Sequence, residues 1–295
     1  MTKKSANHTQ SLKIPKIILL TSKLISFISP KLITLFAAKL FTTPIKHKIP
    51  KRELEMDRNS LQKLVLIPAI GKEVVVYEYG KSEKKVLLVH GWSGRGTQLF
   101  KIADELLKAG YSTVSFDAPA HGKSPGKDTI MVDFIATILE IEKQFGPFEA
   151  AIGHSLGGMS VLNAIKKGLK VSHAVVIGSG DIVEDIIDDF VAKLGLKPTV
   201  SNLLRLHFEK KYGEKMNSYS AFLAAKETAI PVLVIHDNND PEVPVKAGIH
   251  IHEHLKNGEL LLTDGLGHRK ILGNAKVIEK TVQFIQNKQN TTLYN

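Results

Sequence analysis

One stretch constrains this chain more than any other: Ala150-Ala151-Ile152-Gly153-His154-Ser155-Leu156-Gly157-Gly158. A short apolar run ends in Gly-His-Ser-Leu-Gly, and a helix-compatible segment follows from Met159 to Lys167. A strand must end, turn sharply at the serine and enter a helix. Such a turn forces the serine into a strained backbone conformation with its hydroxyl exposed. Gly153 and Gly157 are needed because a Cβ at either position would crowd the neighbouring strand or helix. The N–H of Leu156, at the start of the helix, would then face any oxyanion formed at the serine.

The segments around this elbow repeat one rhythm. Apolar runs at Val86–Val89, Ser112–Phe116, Phe148–Ile152, Ala174–Ile177, Ile230–Ile235 and Glu259–Leu262 read as strands. Helical patterns lie between and after them, at Gln98–Lys108, Ile130–Phe145, Lys246–Lys256 and Asn274–Gln286. Short buried strands alternating with longer helices predict an α/β chain: a mostly parallel, twisted sheet with helices on both faces. Leu61–Ile67 and Val74–Tyr79, around Pro68 and Gly71, read as a hairpin that supplies an antiparallel edge. The rhythm breaks between Gly178 and Ile230, where the connection is far longer than one crossover helix requires. Helical patterns at Asp181–Leu194 and Thr199–Tyr212 make it a small helical cap insertion, about 180–228, over the carboxyl ends of the strands.

A serine hydroxyl is a poor nucleophile until a base takes its proton. Two downstream strands end in suitable groups. Ile230–Ile235 runs into His236-Asp237-Asn238-Asn239-Asp240-Pro241-Glu242-Val243-Pro244, and Glu259–Leu262 runs into Gly265-Leu266-Gly267-His268. His268 would be general base toward Ser155 and then general acid toward the leaving group. Asp240 would hold its imidazole in the working tautomer. Asp237 competes with Asp240 for that role. Upstream, Val86–Val89 runs into His90-Gly91-Trp92-Ser93-Gly94, where the backbone N–H of Trp92 could join that of Leu156 in an oxyanion hole. The Trp92 indole would line a substrate pocket. Asp117 and His121, in Phe116-Asp117-Ala118-Pro119-Ala120-His121-Gly122, are expected to shape a loop and not to react, and His154 to pack beneath the elbow.

Taken in order, His90-Gly91-Trp92, the Phe116–Ser124 loop, Gly153–Gly157, Asp240–Pro244 and Gly267-His268 resemble the α/β-hydrolase superfamily, in its serine esterase and lipase-like branch, over roughly residues 60–290. The resemblance implies the α/β-hydrolase fold and the chain order nucleophile, acid, histidine. It also implies cleavage of a carboxylic ester or thioester through an acyl-enzyme on Ser155, His268 and Asp240. Alternatives on the same fold are a non-hydrolytic member that binds a small molecule, and a serine haloperoxidase or C–C bond hydrolase using the same triad. Neither a phosphate-binding glycine loop nor a dinucleotide fingerprint is present, so no cofactor is expected. In His250-Ile251-His252-Glu253-His254, His250 and His254 share one helix face as in a helical zinc motif, but the Glu is not placed as that motif requires; a solvated helix face is expected there, and no metal.

Charge divides the chain unevenly. The net charge of +11 resides in residues 1–52, which hold eleven Lys and Arg and no Asp or Glu; the remainder is neutral, with 29 of each sign. The excess therefore does not describe a nucleic-acid-binding body, and no nucleic acid is expected. Residues 1–13 read as disordered. Ile14 to Phe41 is apolar but broken by Lys16, Lys23, Lys31 and Lys39, and reads as two amphipathic helices, 15–28 and 30–41, with Ser29-Pro30 as cap and first turn. No uncharged run reaches the ~18 residues a spanning helix needs. Two expectations compete: a peripheral anchor on the inner membrane surface of a cytoplasmic protein, or a helix pair packed on the domain; a signal segment fits poorly. Residues 42–60 read as a linker.

Overall fold

The computed structural model describes residues 14–286; the expectation for residues 1–13 falls outside them. The chain begins with two helices, α1 (Lys16–Ile28) and α2 (Pro30–Thr42). Ser29 caps the second, its hydroxyl accepting the Leu32 N–H, with Pro30 in the first turn. Residues 43–50 form an extended strap. A 3₁₀ turn (Lys51–Glu53) and α3 (Leu54–Asn59) follow, where a plain linker was expected. Charges dominate this stretch, but Met56 and Glu53 are both buried, so it packs as part of the domain.

The remaining elements alternate as β1 (Leu61–Ile67), β2 (Lys72–Tyr79), β3 (Lys85–Val89), α4 (Phe100–Lys108), β4 (Ser112–Asp117), α5 (Met131–Phe145), β5 (Ala150–His154), α6 (Leu156–Lys166) and β6 (His173–Ile177). Then come α7 (Val183–Lys193), α8 (Pro198–Tyr212), α9 (Ala221–Glu227), β7 (Val232–Asp237), α10 (Lys246–Glu253), β8 (Gly258–Thr263), the short α11 (Gly267–Lys270) and α12 (Ala275–Gln286). All eight strands form one sheet in the order β1-β2-β4-β3-β5-β6-β7-β8. The β1–β2 and β2–β4 pairs are antiparallel and the others parallel, as the hairpin-plus-alternation pattern predicts.

Side chains on successive strand residues point to opposite faces, and the core divides accordingly. Val86, Leu88, Ile152, Val175 and Leu233 pack with Ile102 and Leu106 of α4 and Phe284 of α12. Leu87, Val89, Ala151, Val176 and Val234 pack with Phe134 and Ile138 of α5 and Leu162 of α6 on the other face. Burial on both faces explains why the parallel strands read as unbroken apolar runs. The sheet order sets the carboxyl ends of β3 and β5 side by side, with β6 between β5 and the β7–β8 pair.

The insertion between β6 and β7 is helical, as expected, and α2 joins it. Ile33, Ala37 and Ala38 on the inner face of α2 are buried. Phe41 packs edge-on to Phe190 of α7, with ring centres 5.0 Å apart, and against Phe208 of α8 at 5.6 Å. The packed-helix expectation therefore describes the inner face of α2. In α1 only Ser22 is fully buried. No helix among the described residues is long and apolar enough to cross a membrane.

Candidate active site

Ser155 stands between β5 and α6 with φ 55° and ψ −121°, a conformation side chains rarely adopt. Its N–H donates to the Ile177 carbonyl at 2.9 Å, fixing the turn to β6. The flanking glycines are required sterically. A Cβ on Gly153 would lie 2.4 Å from the Gly157 carbonyl oxygen, and one on Gly157 would lie 2.3 Å from that of Val89. Gly91 closes the site from the other side: a Cβ there would sit 2.9 Å from the Ser155 Cβ. The loop after β3 thus passes directly against the serine.

The structure places His268 in α11, just after β8, and buries it. Its Nδ1 is 2.7 Å from Asp240 Oδ2. The other oxygen of Asp240 accepts the N–H groups of Glu242 at 2.8 Å and Val243 at 3.0 Å. Burial alone would raise the Asp240 pKa; His268 and these two amides outweigh it and hold the carboxyl below its usual range. Asp237 has a different task. It accepts Thr263 Oγ1 at 2.7 Å and the Leu266 N–H at 3.0 Å, bracing the end of β8 and the turn that carries His268. Between the two acids, Asp240 faces the imidazole.

His154 connects serine and histidine. Its Nε2 donates to the backbone carbonyl of His268 at 2.9 Å, and the two rings are 4.7 Å apart. Burial and the neighbouring His268 push its pKa down to about 3, so it is neutral. No hydrogen bond joins the Ser155 hydroxyl to His268 among the described residues. His268 Nε2 lies 4.0 Å from Glu242 Oε2, and the other Glu242 oxygen pairs with Arg269 Nε at 3.1 Å.

The loop after β3 is held by histidines that do not reach the serine. His90 Nδ1 donates to the Gly91 carbonyl at 2.7 Å, and its Nε2 accepts the Ala118 N–H at 3.0 Å. Full burial depresses its pKa well below the ordinary value. His121 Nε2 accepts the Ser93 N–H at 3.0 Å, while its ring stands edge-on to Trp92 at 5.4 Å. Burial lowers the His121 pKa to about 4. Asp117 accepts the N–H groups of Gly96 at 2.7 Å and Lys123 at 2.6 Å and the Tyr77 hydroxyl at 2.8 Å. These groups shape the loop, as expected for Asp117 and His121. Trp92 lies in the turn closed by the Gly94 N–H on the Gly91 carbonyl, 2.9 Å. Leu156 is the first residue of α6, so its N–H has no partner one turn back.

His250 of α10 and His254 just after it are not simply solvated. His250 Nδ1 is 2.5 Å from Asp181 Oδ2, and its ring is 4.4 Å from that of His254. His250 thus ties the start of the insertion to α10.

Family comparisons agree with this architecture. A model of the Alpha/beta hydrolase family matches residues 86–231, spanning β3 through the insertion, and a TAP-like protein model matches residues 215–291. The chain belongs to the α/β-hydrolase superfamily. An esterase from Pyrococcus furiosus is similar to this α/β-hydrolase at 18% identity and TM-score 0.62, over 83% of this chain and 97% of that one. An esterase from Exiguobacterium antarcticum and a bromoperoxidase from Bacillus anthracis each match at 17% identity and TM-score 0.60, over 77% of this chain and 100% of theirs. At such identities the likeness speaks for the fold. No curated protein matches the sequence.

Proposed function

We propose that this α/β-hydrolase cleaves carboxylic esters or thioesters through an acyl-enzyme on Ser155. The observation that carries the reading is the His268–Asp240 hydrogen bond at 2.7 Å, set beside a serine held at φ 55°. In the proposed reaction Ser155 Oγ attacks the acyl carbon as its proton passes to His268 Nε2. The N–H groups of Leu156 and Trp92 receive the negative charge that develops on the carbonyl oxygen, each donor being worth ~3 kcal/mol in such sites. The carbon–oxygen or carbon–sulfur bond then breaks, and the leaving alcohol or thiol takes the proton from Nε2. Water attacks the acyl carbon as its proton passes to Nε2; the acyl–Oγ bond then breaks, Oγ takes that proton from Nε2, and the acid and free Ser155 are released.

Asp240 stays ionised throughout and stabilises the imidazolium. Closure of the Ser155–His268 hydrogen bond belongs to the reaction, since such bonds commonly tighten only when substrate binds. Trp92 walls the acyl side, and α7 and α8 stand as a cap. Fluorophosphonate labelling tests the reading, with p-nitrophenyl ester turnover as the second readout. Labelling lost in Ser155→Ala is the expected result; turnover equal in wild type and Ser155→Ala would overturn it.

A further inference from the structure

Exposed apolar side chains are concentrated at the beginning of this fold. Of the thirteen exposed large hydrophobic residues among the described ones, eight fall between Ile17 and Ile45. On α1 they form one ridge: Ile17, Leu20, Leu24, Phe27 and Ile28 are 64–77% exposed. Their spacing of three, four, three and one places all five within a single arc of the helix. Lys16 and Lys23, four residues before Leu20 and Phe27, flank one edge of that arc, and both are exposed. The outer side of α2 continues the pattern with exposed Leu32 and Leu35 beside Lys31 and Lys39. Burying five such side chains in water-free surroundings is strongly favourable, and nothing among the described residues covers them.

We propose that α1 and the outer edge of α2 dock this protein on an anionic lipid bilayer, with the ridge at the acyl boundary and the lysines among the phosphates. Charge selects this occupant. Residues 16–52 carry eight Lys and Arg and no acidic residue. Two copies meeting ridge to ridge about a two-fold axis would set lysines against lysines, whereas an anionic surface neutralises them. Anchoring comes from the inner face of α2, which is buried against α7 and α8, so the ridge is held by the domain and not on a free tail.

The docking face also adjoins the candidate site. Three residues after α2 ends, the Ile45 N–H donates to Ser93 Oγ at 3.0 Å, next to Trp92. Resting on the hydrolase reading, this placement assigns membrane-dissolved acyl esters as the substrate class.

Because Ile33, Ala37 and Ala38 are core residues, point variants test the proposal better than removal of the helices. Sedimentation of the full chain with phosphatidylcholine vesicles, with and without about 30% phosphatidylglycerol, measures docking. At least ~10-fold stronger binding to the anionic vesicles is expected, falling several-fold in high salt. Leu20→Glu/Leu24→Glu/Phe27→Glu should reduce it at least ~10-fold, and Lys16→Glu/Lys23→Glu/Lys31→Glu comparably, with unchanged thermal melts. Leu206→Glu, at an exposed leucine of α8, should bind as wild type. Undiminished binding by the apolar-face variant overturns docking. So does a wild-type dimer that this variant splits while neither form binds vesicles.

Ser155→Ala should bind like wild type, so docking is judged independently of catalysis. For substrate class, the apolar-face variant should lose turnover of a vesicle-borne ester and keep turnover of a short soluble one. Equal loss of both overturns that assignment.

Discussion

His154 donates its Nε2–H to the main-chain carbonyl of His268 at 2.9 Å, so the residue before the serine holds the backbone of the proposed base. Elbow and histidine loop are thereby one unit. Replacing His154 by Ala leaves a buried acceptor unpaired, a loss of about 1–3 kcal/mol. It should also lower kcat much more than it changes KM, because it displaces His268 without touching the acyl pocket. Urea unfolding and ester kinetics on the same preparation check both parts; an unchanged kcat would reduce His154 to packing.

Asp240 and Asp237 should separate cleanly. Asp240→Asn leaves the fold in place but removes the anion facing His268 Nδ1, and kcat should fall by about 10⁴. Asp237→Asn weakens acceptance from Thr263 and Leu266 and should cost stability, ~1–3 kcal/mol, with the smaller effect on kcat. Steady-state kinetics and melting curves of the pair decide the matter, and the reverse pattern would exchange their roles.

Acid should destabilise this protein before its carboxylates titrate. His90, His121 and His154 are buried and their folded pKa values are lowered, to about 4 for His121 and about 3 for His154. Above the unfolded value near 6.5 both states are neutral and stability is full. Below it the unfolded chain takes up protons that the folded chain refuses. Each histidine then removes up to ~1.4 kcal/mol per pH unit until its folded pKa is reached. Denaturant unfolding at pH 7, 6 and 5 should show a progressive loss; a flat profile would mean that these imidazoles can be protonated in place.

Glu53 and Arg95 form a buried ion pair at 2.9 Å, and Thr97 Oγ1 donates to the same Glu53 oxygen at 2.8 Å. Glu53→Ala strands the guanidinium and should cost about 3–5 kcal/mol, whereas Glu53→Leu with Arg95→Met should cost much less. Because Arg95 and Thr97 follow the His90–Gly94 loop, the single variant should also lower kcat. Thermal melts and kinetics of the three proteins form the test.

The sheet was legible because the parallel strands β3, β5, β6 and β7 are buried on both faces, which leaves an unmistakable apolar run at each. The elbow was legible because its glycines are required by contacts within the turn. Glu53 was not: a run of charges reads as solvent-facing, and its burial is explained by Arg95 and Thr97, 42 and 44 residues away. Asp240 and Asp237 could not be separated by sequence, since both lie in one acidic turn and the difference is which oxygen meets His268. The ties from His154 and His121 to main-chain groups leave no pattern at all, because backbone partners carry no side-chain signature. In the N-terminal helices apolar residues lie on two sides, inward on α2 and outward on α1, and a sequence does not say which side a domain covers.

The strap after α2 gives the N-terminal arm a second consequence. Besides Ile45 on Ser93, the Thr42 carbonyl accepts the Thr129 N–H at 2.8 Å and Lys46 Nζ donates to the Ser124 carbonyl at 2.7 Å. The arm therefore clasps the loop after β3, which passes against the serine, together with the loop after β4 on its far side. A shortened chain beginning at the first strand would be no trimmed version of the same domain: both loops would lose the ties that pin them from outside.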